Sequence, residues 1–331
     1  METELQVDAD QIFEVTVSES DREEFKRLDQ FLAEKIPSLS RSTIKRLYDE
    51  DQITSSHSEK FELKKMPPAG TTISVEVPPP IPTDLIAENI PLEVLFEDEH
   101  LIIINKPAGL VVHPAPGHYT GTLVNAILYL CPDLKGIGSE KRPGIVHRLD
   151  MGTSGVMVVA KDQATHEGLV KLFSTHTIER RYEALCFGNP KVPNGKIETS
   201  IGRHPNNRLK MHAGVKDGKR AVTFYKVLRN SDKISHIELK LETGRTHQIR
   251  VHLSQMLHTP VFCDPLYSDV NGHLKRMPEE IAEIVRGYPY QLLHAKVLGF
   301  VHPITKKELY FEAAPPEIFQ KVAGTIWRDE K

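Results

Sequence analysis

The chain has 331 residues, 39% hydrophobic and 26% charged, a composition that excludes disorder along the whole length and suffices for one large core and a smaller module. The net charge of −3, from 42 Lys and Arg against 45 Asp and Glu, argues mildly against a nucleic-acid partner unless the cations are clustered. No run approaches the ~20 apolar residues of a membrane span, and the acidic opening Met1-Glu2-Thr3-Glu4 is unlike a signal peptide, so a cytoplasmic protein is expected. Cys131, Cys186 and Cys263 are far apart without C-x-x-C spacing and read as small buried hydrophobes, not as a disulfide or zinc framework.

Residues 1–14 are acidic and non-periodic, and a flexible tail is expected there. Residues 15–77 form the first ordered unit. Leu28, Phe31, Leu32 and Ile36 recur at helical spacing until Pro37, Ser40-Arg41-Ser42 offers a cap to a second helix carrying Ile44 and Leu47, and Ile73 to Val77 alternates as a strand does. The proline run from Pro78 to Pro82 stiffens a linker over 78–91 and marks a domain boundary.

Residues 92–325 form the second domain, with 326–331 as a C-terminal tail. Leu101 to Ile104 and Gly155 to Ala160 read as buried strands, Thr122 to Leu130 and Ala164 to Phe173 as helices. Thr223 to Val227 and Ile237 to Leu241 alternate as half-exposed antiparallel strands do. Strands outnumber helices and lack regular crossovers, so the fold class is α+β on a mixed, mainly antiparallel sheet with flanking helices.

Phosphate-loop, dinucleotide, zinc-protease and serine-esterase motifs are absent, and the sixteen histidines have no acidic or cysteine partner at ligand spacing. No cofactor and no metal are expected. Three segments place polar groups at the ends of apolar elements. The first is His147-Arg148-Leu149-Asp150 in a glycine-punctuated loop before a strand. In the second, Arg180-Arg181-Tyr182-Glu183-Ala184, alternation puts Tyr182, Ala184 and Cys186 on one face and Arg181 and Glu183 on the other. The third runs from Leu241 to Leu253, where a strand gives way to helical spacing around Gly244-Arg245-Thr246-His247. Taken singly, these segments fit a surface ion pair, a core tyrosine and a solvated basic turn equally well.

Together they resemble the RluA/RluC/RluD family of RNA pseudouridine synthases, closest to the RluD branch. Asn105 to Pro114, Leu293-His294-Ala295, Phe300 and His302-Pro303 extend the resemblance over about residues 90–315. Arg27 to Leu32 and Ser40 to Lys45 resemble the αL-type RNA-binding domain that precedes the catalytic domain in that branch. Met151-Gly152 after Asp150, Cys263-Asp264 for a usual Gly-Asp, and Ile53 to Ser56 for a Val-Asn-Gly turn depart from the pattern.

The resemblance implies a cofactor-free isomerase, a monomer, that detaches uracil from its ribose and rejoins it through carbon, in stem-loop uridines of large-subunit (23S) ribosomal RNA. It implies Asp150 as the catalytic aspartate, Arg245 as its cationic partner and Tyr182 as the ring against the uracil. Arg148, with His147 beside it, is implied in base flipping. The clustered cations Arg41, Lys45 and Arg46, Lys141 and Arg142, and Arg203, Arg208, Lys210, Lys219 and Arg220 are the expected RNA contacts. A uracil glycosylase, which would release free base, and an RNA-binding assembly factor, which would leave RNA unaltered, are the competing readings.

Overall fold

The computed structural model describes residues 11–37, 39, 41–58, 61–77, 85–114, 118–134, 137–138 and 142–328, without the side chains of Gln11, Ser42, Thr43 and Arg46. The first ten residues of the expected tail, the proline run, Lys141 and the Arg46 side chain therefore fall outside the described residues. The chain divides into two units, residues 1–84 and 85–331.

In the small unit the order is β1 (Gln11–Thr16), α1 (Glu19–Glu24), α2 (Leu28–Lys35), α3 (Arg41–Asp49), β2 (Ile53–Ser55) and β3 (Thr72–Val77). The strands form an antiparallel sheet in the order β1-β3-β2. The expectation of a loose segment up to residue 14 is corrected here, because β1 pairs with β3 from Gln11 onward. Phe13 and Val15 pack on the core with buried Val17, while Ile12, Glu14 and Thr16 face outward. Helix α1 lacks an apolar stripe and is held at its start by a reciprocal Ser18/Asp21 capping box. Leu28, Phe31 and Leu32 of α2 meet Ile44 and Leu47 of α3 over Ile73 and Val75, all fully buried.

The large unit begins with β4 (Glu93–Glu97), β5 (Leu101–Lys106), α4 (Leu123–Leu130), β6 (Ser154–Ala160), α5 (Gln163–Ser174) and β7 (Glu179–Phe187). It continues through β8 (Asn194–Arg203), β9 (Met211–Ala213), β10 (Lys219–Asn230), β11 (Ile234–Leu241) and α6 (Gln248–Val251), which runs into a π-helical turn over His252–Met256. Then follow α7 (Val270–Leu274), α8 (Glu279–Ile284), β12 (Leu293–Val301), β13 (Glu308–Glu312) and α9 (Glu317–Ile326).

The strand order is β4-β5-β6-β12-β7-β11-β10-β8-β9, with β13 on β12. The β6/β12 pair is parallel and the other described pairs are antiparallel, so the architecture is the α+β mixed sheet anticipated from the sequence. Strand β6 is buried at every position because both faces are covered, which is why its apolar run does not alternate. One face carries the main core, where Ile102, Ile104, Met157, Val159, Ala184, Ile237 and Leu239 share a cluster with Leu123, Val124, Ile127 and Leu128 of α4. All three cysteines are buried and free. Among the described residues no helix is long and apolar enough to cross a membrane.

Candidate active site

A cleft of about 540 Å³ opens on this sheet, lined by the loop before β6, by α5, by β7 and by the turn from β11 into α6. It brings together Asp150, Tyr182, Arg245, Arg148 and His147 from the sequence reading, and adds Arg180, His247 and Arg250.

The loop that carries Asp150 is fastened at both ends. Gly144, at φ +69°, lies so close to β6 that a Cβ would stand 2.3 Å from the Ala160 carbonyl oxygen, so glycine is needed for this approach. Beyond Asp150, the Met151 carbonyl accepts from the Gly109 N–H at 2.9 Å and from Lys106 Nζ at 3.1 Å. Lys106 is fully buried and also donates to the Pro107 and Leu110 carbonyls, each at 2.9 Å. Burial pushes its pKa down to about 7 against the pull of the Asp150 charge. The lysine thus ties the turn after β5 to the backbone next to the aspartate.

The cation on Asp150 is Arg250, and the expected pairing with Arg245 is corrected. Arg250 Nη1 donates to Asp150 Oδ2 at 2.9 Å, while its Nε and Nη2 bind both oxygens of Asp264 at 2.8 Å. Asp264 is fully buried and also accepts the N–H groups of Leu266 and Tyr267 at 2.9 and 3.1 Å. Burial opposes the Arg250 charge, but the bonds to Asp264 and the two aspartate charges outweigh it and hold the guanidinium above its ordinary pKa. Arg245 turns away because its Nε donates to the Arg220 carbonyl at 3.0 Å. Between the two arginines the backbone passes through His247 in the left-handed region, φ 55°. His247 bonds Tyr267 Oη through Nδ1 at 2.8 Å and brings Nε2 to 4.0 Å from Asp150 Oδ2. Burial lowers its pKa despite the nearby Asp150.

Tyr182 projects from β7 on the face shared with Ala184 and Cys186, all three in the main core. Burial raises the pKa of its hydroxyl. Arg180, two residues earlier on the same face, is 8% exposed. Its Nη2 donates to the Glu242 carbonyl at 2.9 Å and its guanidinium lies 5.5 Å from the Phe173 ring centre. On Phe173 also stacks His147, 4.6 Å away, whose Nε2 accepts the Val158 N–H. Burial, with the Arg180 charge, pushes the His147 pKa down to about 3, so the ring is a neutral brace of the cleft wall. Arg148 is exposed at the rim and makes no hydrogen bond or ion pair with a described residue.

Outside the cleft the expected RNA contacts divide. Arg203, Arg208 and Lys219 are exposed, Lys210 lies 5.9 Å over the Tyr267 ring, and Arg142 is exposed. Arg220 is committed to Glu198 and Glu242, Arg41 to Asp29 and Lys45 to Asp49. Among the described residues no group of three or more His, Cys, Asp or Glu side chains can hold a metal. The sequence reading missed Arg250, Asp264, Arg180 and Lys106. For Arg250 a signal existed, in that it stands between Ile249 and Val251 at the start of a helix.

Residues 100–255, which include the Asp150 loop, Tyr182 and both arginines of the turn, match the family model for RNA pseudouridylate synthase. An uncharacterized RNA pseudouridine synthase of Synechocystis sp. is 43% identical over 96% of this chain and 92% of its own. A ribosomal large subunit pseudouridine synthase D of Zymomonas mobilis is 43% identical over 89% of this chain and 92% of its own. Among solved structures, human RNA pseudouridylate synthase domain containing 4 aligns with a TM-score of 0.56 at 28% identity, over 71% of this chain and 92% of that one. The chain belongs to the RNA pseudouridine synthase family.

Proposed function

We propose that this enzyme converts uridine to pseudouridine in stem-loops of large-subunit ribosomal RNA, with Asp150 as the carboxylate that acts on the target nucleotide. The observation that carries the reading is the aim of Asp150. One oxygen is fixed by Arg250 at 2.9 Å, the other accepts no hydrogen bond from a described residue, and Tyr182 lines the same cleft. In the isomerisation the N1 to C1′ bond breaks, the uracil turns within the cleft, a C5 to C1′ bond forms, and the C5 proton leaves while N1 gains one. A fixed carboxylate and a broad aromatic ring suit such a rotation because they hold the ribose and the base without a covalent tether between them.

Arg148 is the residue for extrusion, since an unpaired planar guanidinium at the rim can fill the place that a flipped base leaves in its stack. The exposed Arg203, Arg208 and Lys219, with the partly buried Lys210, supply phosphate contacts that fix position. The small unit, by its resemblance to an RNA-binding domain, adds to target choice, and its Arg41 and Lys45 can serve RNA only by sharing charge with Asp29 and Asp49. The large-subunit target follows the printed name of the Zymomonas mobilis relative; that the enzyme is a monomer acting in the cytoplasm belongs to the same proposal.

Asp150→Asn tests the assignment. Conversion should fall by about 10⁴-fold or more, as on removing a group that acts in the reaction itself, while RNA affinity stays within a few-fold. A variant that converts uridine at the wild-type rate would overturn the role of Asp150. Mapping pseudouridine in total RNA with and without the gene identifies the target, and free uracil among the products would instead indicate a glycosylase.

A further inference from the structure

The cleft holds more positive charge than its aspartate uses. Arg148, Arg180 and Arg245 all line it, and no carboxylate among the described residues lies within 4.0 Å of any of the three. Arg180 is the unusual member because it is 8% exposed and its Nε is buried without a hydrogen-bond partner. A buried guanidinium held by one carbonyl and the face of a phenyl ring is costly unless something brings it an anion. Its Nη1 faces Gly244, which lines the cleft and where a Cβ would come within 2.8 Å of that nitrogen. Next in the chain stands Arg245, with its Nε spent on the Arg220 carbonyl. Burial, then the like charge of Arg245, depresses the pKa of Arg180, with the neighbouring Tyr182 opposing. The two cations therefore repel, with no carboxylate among the described residues within 4.0 Å of either.

We propose that Arg180 and Arg245 form a clamp for the phosphodiester that flanks the target nucleotide, an inference that rests on the pseudouridine synthase reading. A phosphodiester carries a full negative charge and two free oxygens, which matches two guanidiniums that line the same cleft. A uracil carbonyl oxygen would satisfy one of them and leave the other uncompensated. The clamp gives Arg245 a task other than holding Asp150, and it explains why the residue before Arg245, against Arg180 Nη1, has no side chain. The extruded nucleotide is then anchored by its backbone at one wall, with its sugar presented to Asp150 and its base free to turn against Tyr182.

The test measures binding in the Asp150→Asn background, with the stem-loop RNA whose uridine the wild-type enzyme converts. Arg180→Met and Arg245→Met should each weaken binding about tenfold and reduce the slope of log affinity against log salt by about 0.7–0.9. Replacing one flanking phosphate by a neutral methylphosphonate should weaken the parent by a similar factor and the Arg180→Met protein no further. Arg180→Lys, which keeps the charge, should keep the salt slope. Gly244→Ala, which displaces the guanidinium without removing it, should weaken binding. If Arg180→Met fails to fold, these last two variants carry the test.

Unchanged salt slopes overturn the clamp, as do methylphosphonate and Arg180→Met losses that simply multiply at both flanking phosphates. So does a fall in turnover when Arg180→Met is placed in the enzyme that keeps Asp150, with binding intact, which would assign Arg180 to the base. A wild-type enzyme that converts no uridine overturns the reading beneath the clamp, whereas conversion with unaltered slopes overturns the clamp alone.

Discussion

Each unit contains an arginine and aspartate triad, with opposite stoichiometry. In the small unit two arginines share one aspartate. Arg27 Nε and Nη2 each reach Asp29 at 2.9 Å, and Arg41 Nη2 adds a third bond at 2.9 Å. In the large unit two aspartates share one arginine, with Asp264 taking two donors of Arg250 and Asp150 one. The first arrangement saturates the carboxylate and leaves its cations outside, with Arg27 and Arg41 side chains 36% and 52% exposed. The second saturates the cation, 4% exposed, and leaves one carboxylate oxygen directed at the cleft. An Asp–Arg pair in a sequence is thus ambiguous until the ratio and the burial are known: the arginine-rich triad braces a fold, and the aspartate-rich one presents a reactive group.

The largest effect should come from removing the shared arginine. Arg250→Met strands Asp264, fully buried, without its cation, and a broken buried pair costs about 3–5 kcal/mol. Denaturant unfolding of the whole chain should show this loss, and conversion should vanish with it. Arg250→Lys restores the charge as a point but cannot span two carboxylates, so it should recover stability more than turnover. An Arg250→Met protein as stable as wild type would break the comparison, since Asp264 would then need no partner.

Arg250 also marks how far the sequence could be read. Asp150 stands out for its place in a glycine-punctuated loop before β6 and Tyr182 for its place in an apolar strand, but their roles come only from the family resemblance; the alternation of β7 puts Tyr182 on one face with Ala184 and Cys186, as anticipated. Arg245 and Arg250 stand five residues apart in one turn, and what separates them is burial. Ile249, Arg250 and Val251 are all buried, which means that α6 is enclosed on every side, where an arginine requires carboxylates. Its partner Asp264 follows Val261-Phe262-Cys263, an apolar run whose closure onto α6 has no local signal. At Cys263 the chain adopts φ 62°, the backbone that a glycine takes without strain, so the departure from Gly-Asp changes the residue and keeps the turn. Lys106 enters only as part of the family-like segment Asn105 to Pro114, and its bond to the Met151 carbonyl spans 45 residues. In the small unit the outward Ile12, Glu14 and Thr16 hid the inward Phe13 and Val15 of β1.

A smaller effect concerns acid. The bonds from Arg27, then Arg41, hold the Asp29 carboxyl down to about 2 from 3.8, against the penalty of burial. A depressed folded-state pKa stabilises above the unfolded value and is lost as pH falls through the folded one, so the contribution is complete above pH ~4 and fades towards pH ~2. With both arginines partly in solvent, it is worth at most about 2 kcal/mol. Hydrogen exchange of the α2 amides in the whole chain should accelerate between pH 4 and 2 beyond the intrinsic trend, and Asp29→Asn should abolish that dependence. Equal acid sensitivity in the Asn variant would assign it to another carboxylate.

The smallest effect should come from Arg41→Met. Arg27 keeps both of its bonds to Asp29, and Arg41 itself is half in water, so the loss should stay under about 1 kcal/mol by the usual value of an exposed pair. That is a fraction of the Arg250→Met cost, although both arginines donate to an aspartate at the same 2.9 Å. The ratio of the two costs is the informative quantity, because bond length is held constant while burial and sharing differ. If Arg41→Met proved as damaging as Arg250→Met, burial and stoichiometry would not be what distinguishes the triads. If it leaves stability intact but weakens RNA binding with a shallower salt slope, the small unit lends Arg41 to RNA, and Asp29 is the counter-charge that holds it in place until RNA arrives.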